Sequence, residues 1–433
     1  MDNAKMTNKH KTALLTAAAA ITAALFLAVS CASGWGNSSG EEKPGSPVTI
    51  TVDTVRHQYV RGFGGMSNAW TSPVIGESDI TTMYGENGLG YNIFRIMIYP
   101  DSGRWGAIVP AAKKAQSYGA LILASPWTPP PELKSNRSNV GGYLPRDNFA
   151  AYAAHLRSFV NYMAQNGVKI DAVSFQNEPD ISVSYDSCDW TSKSMMDFVI
   201  SHGREIGDVL IIPGEPFQFN RAFYHSMLNS AEAVEKFDIA GGHIYGGGLS
   251  PFRLAAEKGK EVWMTEHLLN SEGNFNYDST WPAAMTLAKE IHDCMNAGFN
   301  ACIWWYLKRF YSMIGDGEYN TVAGQVLNRG YVMSHYAKYA AGKYRVGAEK
   351  EGNFQVMVTA YAGEDDLCVV ILNTGARASD ATIALPDQFE RAAAEETGEN
   401  GAMREKSVNL KKNERTAELR LAPRSIVSVR FER

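Results

Sequence analysis

Cysteine is scarce in this chain of 433 residues, which contains only 5. That number is too small for a disulfide framework in a protein of this length. The four that follow the N-terminal region are Cys188, Cys294, Cys302 and Cys368. They form no CxxC pair, and no histidine pair has HExxH spacing, so a zinc site is not predicted. We expect these thiols to be buried. A single disulfide between two of them is the alternative.

Nucleotide-binding loops and basic clusters are also missing. The glycines at positions 62, 64 and 65 match neither GxGxxG nor GxxxxGK[ST], and neither a metal nor an organic cofactor is expected. The formal net charge is −5, which argues against nucleic acid as a partner. Hydrophobic residues make up 45% of the chain and charged residues 20%, as in a soluble globular protein with a large core. We expect a monomer.

Long hydrophobic runs are missing after the N-terminus, so no later segment is predicted to span a bilayer. Residues 1–31 have the pattern of a targeting segment, in which lysines precede an apolar run from Ala13 to Val29. The Leu-Ala-Val-Ser-Cys sequence that ends at Cys31 resembles a bacterial lipoprotein signal, with Cys31 as the acylated residue. We therefore expect an exported protein, either a lipoprotein of the cell surface or outer membrane or a secreted protein. A retained anchor is the third alternative. Residues 32–46 predict a flexible linker.

Between residues 47 and 342, short apolar runs alternate with longer amphipathic stretches, which indicates a parallel α/β fold. Eight runs fit the strands of a (β/α)8 barrel. They are Phe63–Met66, Ile93–Met97, Leu121–Ser125, Ala172–Gln176, Val209–Pro213, Ile239–His243, Val262–Thr265 and Ala301–Trp305. Helical patterns between them include Asp147–Asn166, Ser194–Ile206 and Trp281–Asn296.

Residues 343–433 predict a small antiparallel β side domain, because strand-like runs follow one another there without a long helical pattern. The runs are Phe354–Tyr361, Leu367–Leu372, Ala381–Leu385, Ser407–Leu410, Thr416–Leu421 and Ser425–Phe431. Val48–Val55, ahead of the barrel, is also strand-like. We expect it to pair into this domain and to tie the two ends of the chain together.

Two of the predicted barrel strands end in polar residues and a glutamate, Glu178 and Glu266. Parallel barrel strands deliver such residues to one mouth of the barrel, and two facing carboxylates are the machinery of glycosidic bond cleavage. Asn177 has an amide suited to a sugar hydroxyl, and Pro179 ends the strand. A surface turn at Asn177–Pro179 is the alternative interpretation of the first glutamate. The alternative interpretation of Glu266 is a structural ion pair with Arg95. Such a pair would also keep Glu266 ionised, as a nucleophile must be.

The two carboxylates predict a retaining mechanism. Glu178, protonated at rest, donates its proton to the leaving oxygen while Glu266 attacks the anomeric carbon. Glu178 then activates the water that releases the sugar.

An ordered set of motifs covers nearly the whole chain after the linker. The motifs are Gly62–Met66, Ser125–Pro130, Ser174–Pro179, Gly242–Gly246, Trp263–His267, Trp304–Arg309 and Arg329–Tyr331. With them the sequence resembles glycoside hydrolase family 30, and within it the glucuronoxylanase-like subfamily. The resemblance implies a (β/α)8 barrel with a side β domain. It also implies Glu178 as the acid/base, Glu266 as the nucleophile, and endo-cleavage of β-1,4-linked glucuronoxylan with retention.

The resemblance further implies a pocket for the 4-O-methylglucuronate branch of xylan, formed by Trp305, Tyr306 and Arg309. The sequence departs from the family after Arg309, where Phe310-Tyr311-Ser312 replace the usual Ser-Tyr-Gly. The segment from Leu268 to Ser279 also departs from the family pattern. Because both loops shape the branch pocket, strict dependence on glucuronate stays open.

Trp127 and Tyr245 are candidate sugar-subsite residues, with packing at the barrel mouth as the alternative, and Arg95 is also a candidate substrate-binding residue. Two other functions compete with the endo-xylanase. One is a different β-glycosidase of the same family, a β-1,6-glucanase or an exo-acting xylan enzyme, since loops decide such differences. The other is a surface lipoprotein that binds glycan without cutting it, which the presence of both carboxylates, Asn177 and Arg95 disfavours.

Overall fold

The computed structural model describes residues 45–68, 75–269 and 279–433. The predicted targeting segment, with Cys31, lies outside the described residues, as do all but the last two residues of the predicted linker. Most of the segment from Leu268 to Ser279 also lies outside them. None of the described helices combines the length and the apolar character that a bilayer span requires.

The chain enters the fold through one long strand, β1 (Val48–Tyr59), and then builds a barrel of eight parallel strands. The barrel strands are β2 (Gly62–Met66), β3 (Ile93–Ile98), β4 (Leu121–Pro126), β5 (Ala172–Ser174), β6 (Leu210–Ile212), β7 (Ile239–His243), β8 (Glu261–His267) and β9 (Ala301–Trp304). Pairing runs from β6 back to β2, across to β9, and on to β7. The two ends meet where the N–H of Asp238 donates to the carbonyl of Ile211 at 3.0 Å and Asp238 Oδ2 accepts from the N–H of Ile211 at 2.8 Å. The predicted (β/α)8 barrel is confirmed.

Side chains of the barrel strands alternate between the interior and the surrounding helices. On β3, Phe94 and Ile96 pack in the core between barrel and helices, whereas Ile93 joins an apolar layer inside the barrel. That layer consists of Ile93, Leu123, Ala172, Ile212, Ile239, Trp263, Ala301 and Ile303. Two residues further along β3, Arg95 faces the same interior, so the change from aliphatic to charged side chains marks the mouth of the barrel.

A glycine is required where β2 approaches β3. A Cβ atom on Gly64 would lie 1.7 Å from the carbonyl oxygen of Ile93, so no other residue permits this pairing. The close approach of β2 to β3 therefore requires glycine at position 64.

Helices surround the barrel. They are α1 (Glu77–Tyr84), α2 (Val109–Ser117), α3 (Phe149–Gln165), α4 (Ser192–His202), α5 (Ala222–Leu228), α6 (Ala231–Val234), α7 (Arg253–Glu257), α8 (Trp281–Asn296) and α9 (Asn328–Ala340). The helix predicted over Trp281–Asn296 has those bounds. The helix predicted to reach Ile206 ends at His202, because Gly203, a poor helix former, follows it.

The side domain is one sheet of ten strands, to which β1 belongs. The others are β10 (Tyr344–Gly352), β11 (Val356–Ala362), β12 (Asp366–Asn373), β13 (Ser379–Ala384), β14 (Arg391–Gly398), β15 (Gly401–Lys406), β16 (Asn409–Lys411), β17 (Thr416–Leu421) and β18 (Ser425–Glu432). β1 pairs antiparallel with β10 and parallel with β13, so the sheet is mainly antiparallel and the chain ends are joined as predicted. The four described cysteines are all buried free thiols.

Candidate active site

The two predicted carboxylates meet at the mouth of the barrel. Glu178 follows β5 and Glu266 lies near the end of β8, and each is at most 6% exposed. One oxygen of each carboxyl group and one ring nitrogen of His243 all lie within 4.8 Å of one another. Glu178 has a left-handed backbone conformation, with φ of 45°, which is rare outside glycine and is typical of residues at functional sites.

Arg95 lies beside these glutamates and is fully buried. Its Nη1 donates to Glu266 Oε2 at 2.5 Å, and its Nη2 donates to Asn177 Oδ1 at 2.7 Å. Nη2 also lies 3.0 Å from Glu215 Oε2, and Nε donates to Ser125 Oγ at 3.1 Å. A buried guanidinium needs such partners, because an uncompensated charge in the interior is costly. The predicted contact between Arg95 and Glu266 is present.

The side-chain oxygen of Asn177 has a hydrogen-bond partner, whereas its side-chain nitrogen has none among the described residues. Its Oδ1 accepts from Arg95, so the amide group is fixed in one orientation. Its Nδ2 is buried and has no hydrogen-bond partner among the described residues. A buried donor without a partner is rare in proteins, and in this cleft it suits a sugar hydroxyl.

Glu266 accepts hydrogen bonds on both oxygens, since Tyr245 Oη donates to Oε1 at 2.9 Å and Arg95 donates to Oε2. Burial, together with the nearby Glu178 carboxyl group, raises the pKa of Glu266 above its usual value, although His243 and Arg95 act in the opposite direction. Both donors stabilise the ionised carboxylate, which is the form that acts as a nucleophile.

His243 lies among three carboxyl groups. Its Nδ1 is 3.1 Å from Glu178 Oε1 and 3.9 Å from Glu266 Oε1, and its Nε2 is 3.9 Å from Glu215 Oε2. Burial alone would lower the pKa of His243, but the neighbouring carboxyl groups outweigh it and raise the pKa to about 10. The ring is therefore an imidazolium at neutral pH and donates to Glu178.

Glu215 is fully buried, and burial alone would raise its pKa. The positive charges of Arg95 and His243 outweigh that effect and hold the pKa of Glu215 at about 2. Glu215 thus stays ionised, and its negative charge balances the positive charges of Arg95 and His243 next to the two catalytic candidates.

A metal ion is a poor fit to this cluster, although the atoms of Glu178, His243 and Glu266 are close enough to hold one. Both oxygens of Glu266 already accept hydrogen bonds, one from Tyr245 and one from Arg95. The arrangement suits proton transfer and nucleophilic attack.

Glu215 and His243 lie outside the set of predicted site residues, although both carry a signal in the sequence. Glu215 follows the apolar run that ends at Pro213, in the way that Glu178 and Glu266 follow theirs. His243 ends the sixth predicted barrel strand, which begins at Ile239. Tyr185, whose Oη donates to Glu178 Oε2, lies in a polar loop with no comparable pattern.

Aromatic side chains extend the cleft. Trp127 is 2% exposed and lies under the Arg95 guanidinium at 4.8 Å, with its ring 5.8 Å from the ring of Trp305. Tyr306 stacks on Trp305 at 3.8 Å and is itself only 6% exposed. Trp127 and Tyr306 thus pack behind the cleft, whereas Trp305 keeps more of its surface accessible.

Arg309 lies in the loop after β9, with 21% of its side-chain surface exposed. Its Nε is 3.5 Å from Oδ2 of Asp316, and its guanidinium also forms a hydrogen bond with Tyr311. Phe310, one of the two residues that depart from the family pattern, is buried against the ring of Tyr319 at 4.3 Å. The departure therefore supplies packing for the loop that follows Arg309.

Known proteins resemble the chain in sequence and in fold. No protein-family model matches it. It is 34% identical to glucuronoxylanase XynC of Bacillus subtilis over 350 residues, which cover 78% of this chain and 80% of that protein. The structure of a glycoside hydrolase family 30 subfamily 8 xylanase, Xyn30A from Clostridium acetobutylicum, superposes with a TM-score of 0.81 at 31% identity, covering 89% of this chain and all (100%) of that one. A GH30 endoxylanase of Clostridium papyrosolvens C71 gives a TM-score of 0.78 at 30% identity, with coverage of 89% and 100%. The chain belongs to glycoside hydrolase family 30.

Proposed function

We propose that this glycoside hydrolase is a retaining endo-β-1,4-xylanase that acts on glucuronoxylan. The observation that carries the proposal is the short separation of Glu178 and Glu266, whose nearest oxygens lie within 4.8 Å. Inverting enzymes hold their carboxyl groups roughly 6.5–9.5 Å apart to admit a water molecule, whereas retaining enzymes hold them about 5–5.5 Å apart. The short distance supports direct attack by one carboxylate.

In the first step Glu266 attacks the anomeric carbon while Glu178 gives its proton to the leaving oxygen. The glycosidic C–O bond breaks, and a covalent bond forms between the sugar and Glu266. Arg95 and Tyr245 hold the attacking carboxylate in place, and the open Nδ2 of Asn177 lies ready for a hydroxyl of the same sugar.

In the second step Glu178 takes a proton from water, and the resulting hydroxide displaces Glu266. Esterification of Glu266 has by then removed a negative charge that lay within 4.8 Å of Glu178. His243 remains beside Glu178, with its Nδ1 3.1 Å from Glu178 Oε1, and keeps the carboxyl group in place.

The substrate is inferred from the relatives and from the loop after β9. Those relatives are a glucuronoxylanase and xylanases by name. Trp305 offers a ring face, and Arg309 with Tyr311 offers donors to an acidic branch. An arginine binds a carboxylate with a charge-assisted hydrogen bond, often a bidentate one.

Product analysis tests the proposal. We expect internal cleavage of glucuronoxylan into oligosaccharides that carry the glucuronate branch, and slower cleavage of unsubstituted xylo-oligosaccharides and β-glucans. Release of single sugars from chain ends would instead favour the exo-acting xylan enzyme. Activity confined to β-1,6-glucan would favour the glucanase, and binding without cleavage would favour the glycan-binding lipoprotein.

Arg309→Ala is expected to reduce kcat/KM on glucuronoxylan by roughly tenfold to a hundredfold, because a hydrogen bond to a charged group contributes about 1.5–3 kcal/mol. Cleavage of unsubstituted xylan should change little. Arg391→Ala, at an exposed position in the side domain, is the matched control and should leave both activities unchanged. An equal loss on both substrates would show that Arg309 supports the barrel mouth, and no loss on either would point to a general xylanase.

The N-terminal sequence adds a proposal on location, in which Cys31 is acylated and anchors the enzyme to a membrane. In its native host the wild type should then fractionate with membranes, and Cys31→Ser should be released or left unprocessed. The linker would keep the cleft away from the surface so that a polymer can reach it. A soluble, secreted wild type with an unmodified N-terminus would exclude the lipid.

A further inference from the structure

Lys134 is a buried lysine at the rim of the barrel mouth, with 3% of its surface exposed. Its Nζ donates to Thr128 Oγ1 at 2.7 Å, to the carbonyl of Ser187 at 2.5 Å and to the carbonyl of Asn139 at 3.2 Å. An ammonium group has three donors, and here each meets an acceptor from a different chain segment. The lysine thus joins the turn after β4 to two loops above it.

The loop after Glu178 is the one that matters for chemistry. At Ser187 it is held against the 139–143 segment, since its N–H donates to the Asn139 carbonyl at 2.9 Å and its Oγ accepts from the N–H of Gly141 at 2.9 Å. The same Oγ donates to the carbonyl of Tyr185 at 2.9 Å. Lys134 and Ser187 therefore contribute to holding the backbone of Tyr185, together with the hydrogen bond from the N–H of Asp189 to the Gly142 carbonyl at 2.7 Å.

Tyr185 links this loop to the reacting group, because its Oη donates a hydrogen bond to Glu178 Oε2. The other oxygen of Glu178 faces Nδ1 of His243 at 3.1 Å. The carboxyl group is thus held on both sides, by a histidine on the rigid strand β7 and by a tyrosine on a loop. Strand β7 is already fixed within the barrel, so only the loop that carries Tyr185 needs a further contact to hold it.

We propose that Lys134 is a positioning residue for Glu178, acting by fixing the loop from which Tyr185 hydrogen-bonds the acid/base. The inference rests on the proposed role of Glu178. Proton donation to a leaving group requires the carboxyl group within hydrogen-bond reach of the glycosidic oxygen, so a loose Tyr185 would misplace it.

The charge itself argues for this role over packing. Burying an ammonium costs free energy that an apolar side chain of the same length would not. Burial lowers the pKa of Lys134, while Cys188, Asp186 and Asp189 act in the opposite direction. The hydrogen bonds from the ammonium group to three chain segments offset the cost of burying its charge.

The test compares Lys134→Met, Tyr185→Phe and the double variant on two substrates. One is glucuronoxylan, whose leaving group needs protonation, and the other is a dinitrophenyl glycoside of a glucuronate-branched xylo-oligosaccharide, whose leaving group does not. We expect both single variants to lose about tenfold or more in kcat/KM on glucuronoxylan and less than about threefold on the activated substrate. The double variant should lose no more than Tyr185→Phe alone, because both changes remove the same contact. Lys193→Met, whose side chain is 76% exposed, is the matched control.

Three results would overturn the inference: an equal loss on both substrates, losses that multiply in the double variant, or no loss in Lys134→Met. If Lys134→Met does not fold, as judged by its melting temperature, Ser187→Ala replaces it, since this removes the Oγ contact to Tyr185. A wild type that cleaves neither substrate would instead contradict the proposed function, so the two failures are distinguishable.

Discussion

Glu266→Gln is expected to abolish hydrolysis of glucuronoxylan while leaving the fold intact. The amide has the volume of the carboxylate but cannot attack the anomeric carbon. Arg95 keeps a charged partner in Glu215, whose Oε2 is 3.0 Å from its Nη2, so the interior is not left with an unpaired cation. The loss in kcat/KM should be on the order of 10⁴-fold to 10⁶-fold, the range seen when a catalytic unit of a serine protease loses one member.

The matched control for this variant is Glu261→Gln. Glu261 lies at the other end of the same strand, β8, where it pairs with Arg61. Residues at that face of a barrel support stability, so activity should stay near that of the wild type even if the melting temperature falls. Activity of Glu266→Gln above about one per cent of the wild type would mean that another group is the nucleophile, since loss of a catalytic group costs far more than that.

The second large effect is expected for Glu178→Gln, and it should depend on the leaving group. Loss of a general acid costs typically about 10²-fold to 10⁴-fold. That loss should appear in full on glucuronoxylan and should be much smaller in kcat/KM on a dinitrophenyl glycoside, whose leaving group needs no proton. Azide should restore turnover of the activated substrate, because it attacks the glycosyl-enzyme without a general base.

A loss that is equal on both substrates would contradict the role of Glu178 as acid/base. It would indicate that the residue supports binding or the shape of the cleft. Azide that gives no rescue, despite accumulation of the glycosyl-enzyme, would lead to the same conclusion.

The barrel and its two carboxylates could be predicted because their signals are local. A buried parallel strand is an apolar run, and the polar residues that end it must lie at the barrel mouth. That rule places Glu178, Glu266 and Asn177 at the mouth, and it applies to Glu215 as well. The amphipathic pattern of α8 is equally local, and its predicted and observed bounds agree.

The rest depends on contacts between distant segments. β14 and β15 contain alanine, glutamate and lysine, residues that favour strands weakly, and they become strands by pairing with β18 and with each other. Lys134 resembles any surface lysine in sequence, and only the fold places carbonyls of two other segments around its Nζ. The same holds for Tyr185 and for the charges that surround His243.

The most direct test of the retaining mechanism is the anomeric configuration of the first product released from glucuronoxylan, followed by proton NMR before mutarotation. Direct attack by Glu266, followed by water on the same face, predicts that the β-anomer appears first and that the α-anomer grows in later by mutarotation. An α-anomer that appears first would show single displacement by water, and it would contradict the roles proposed for Glu178 and Glu266.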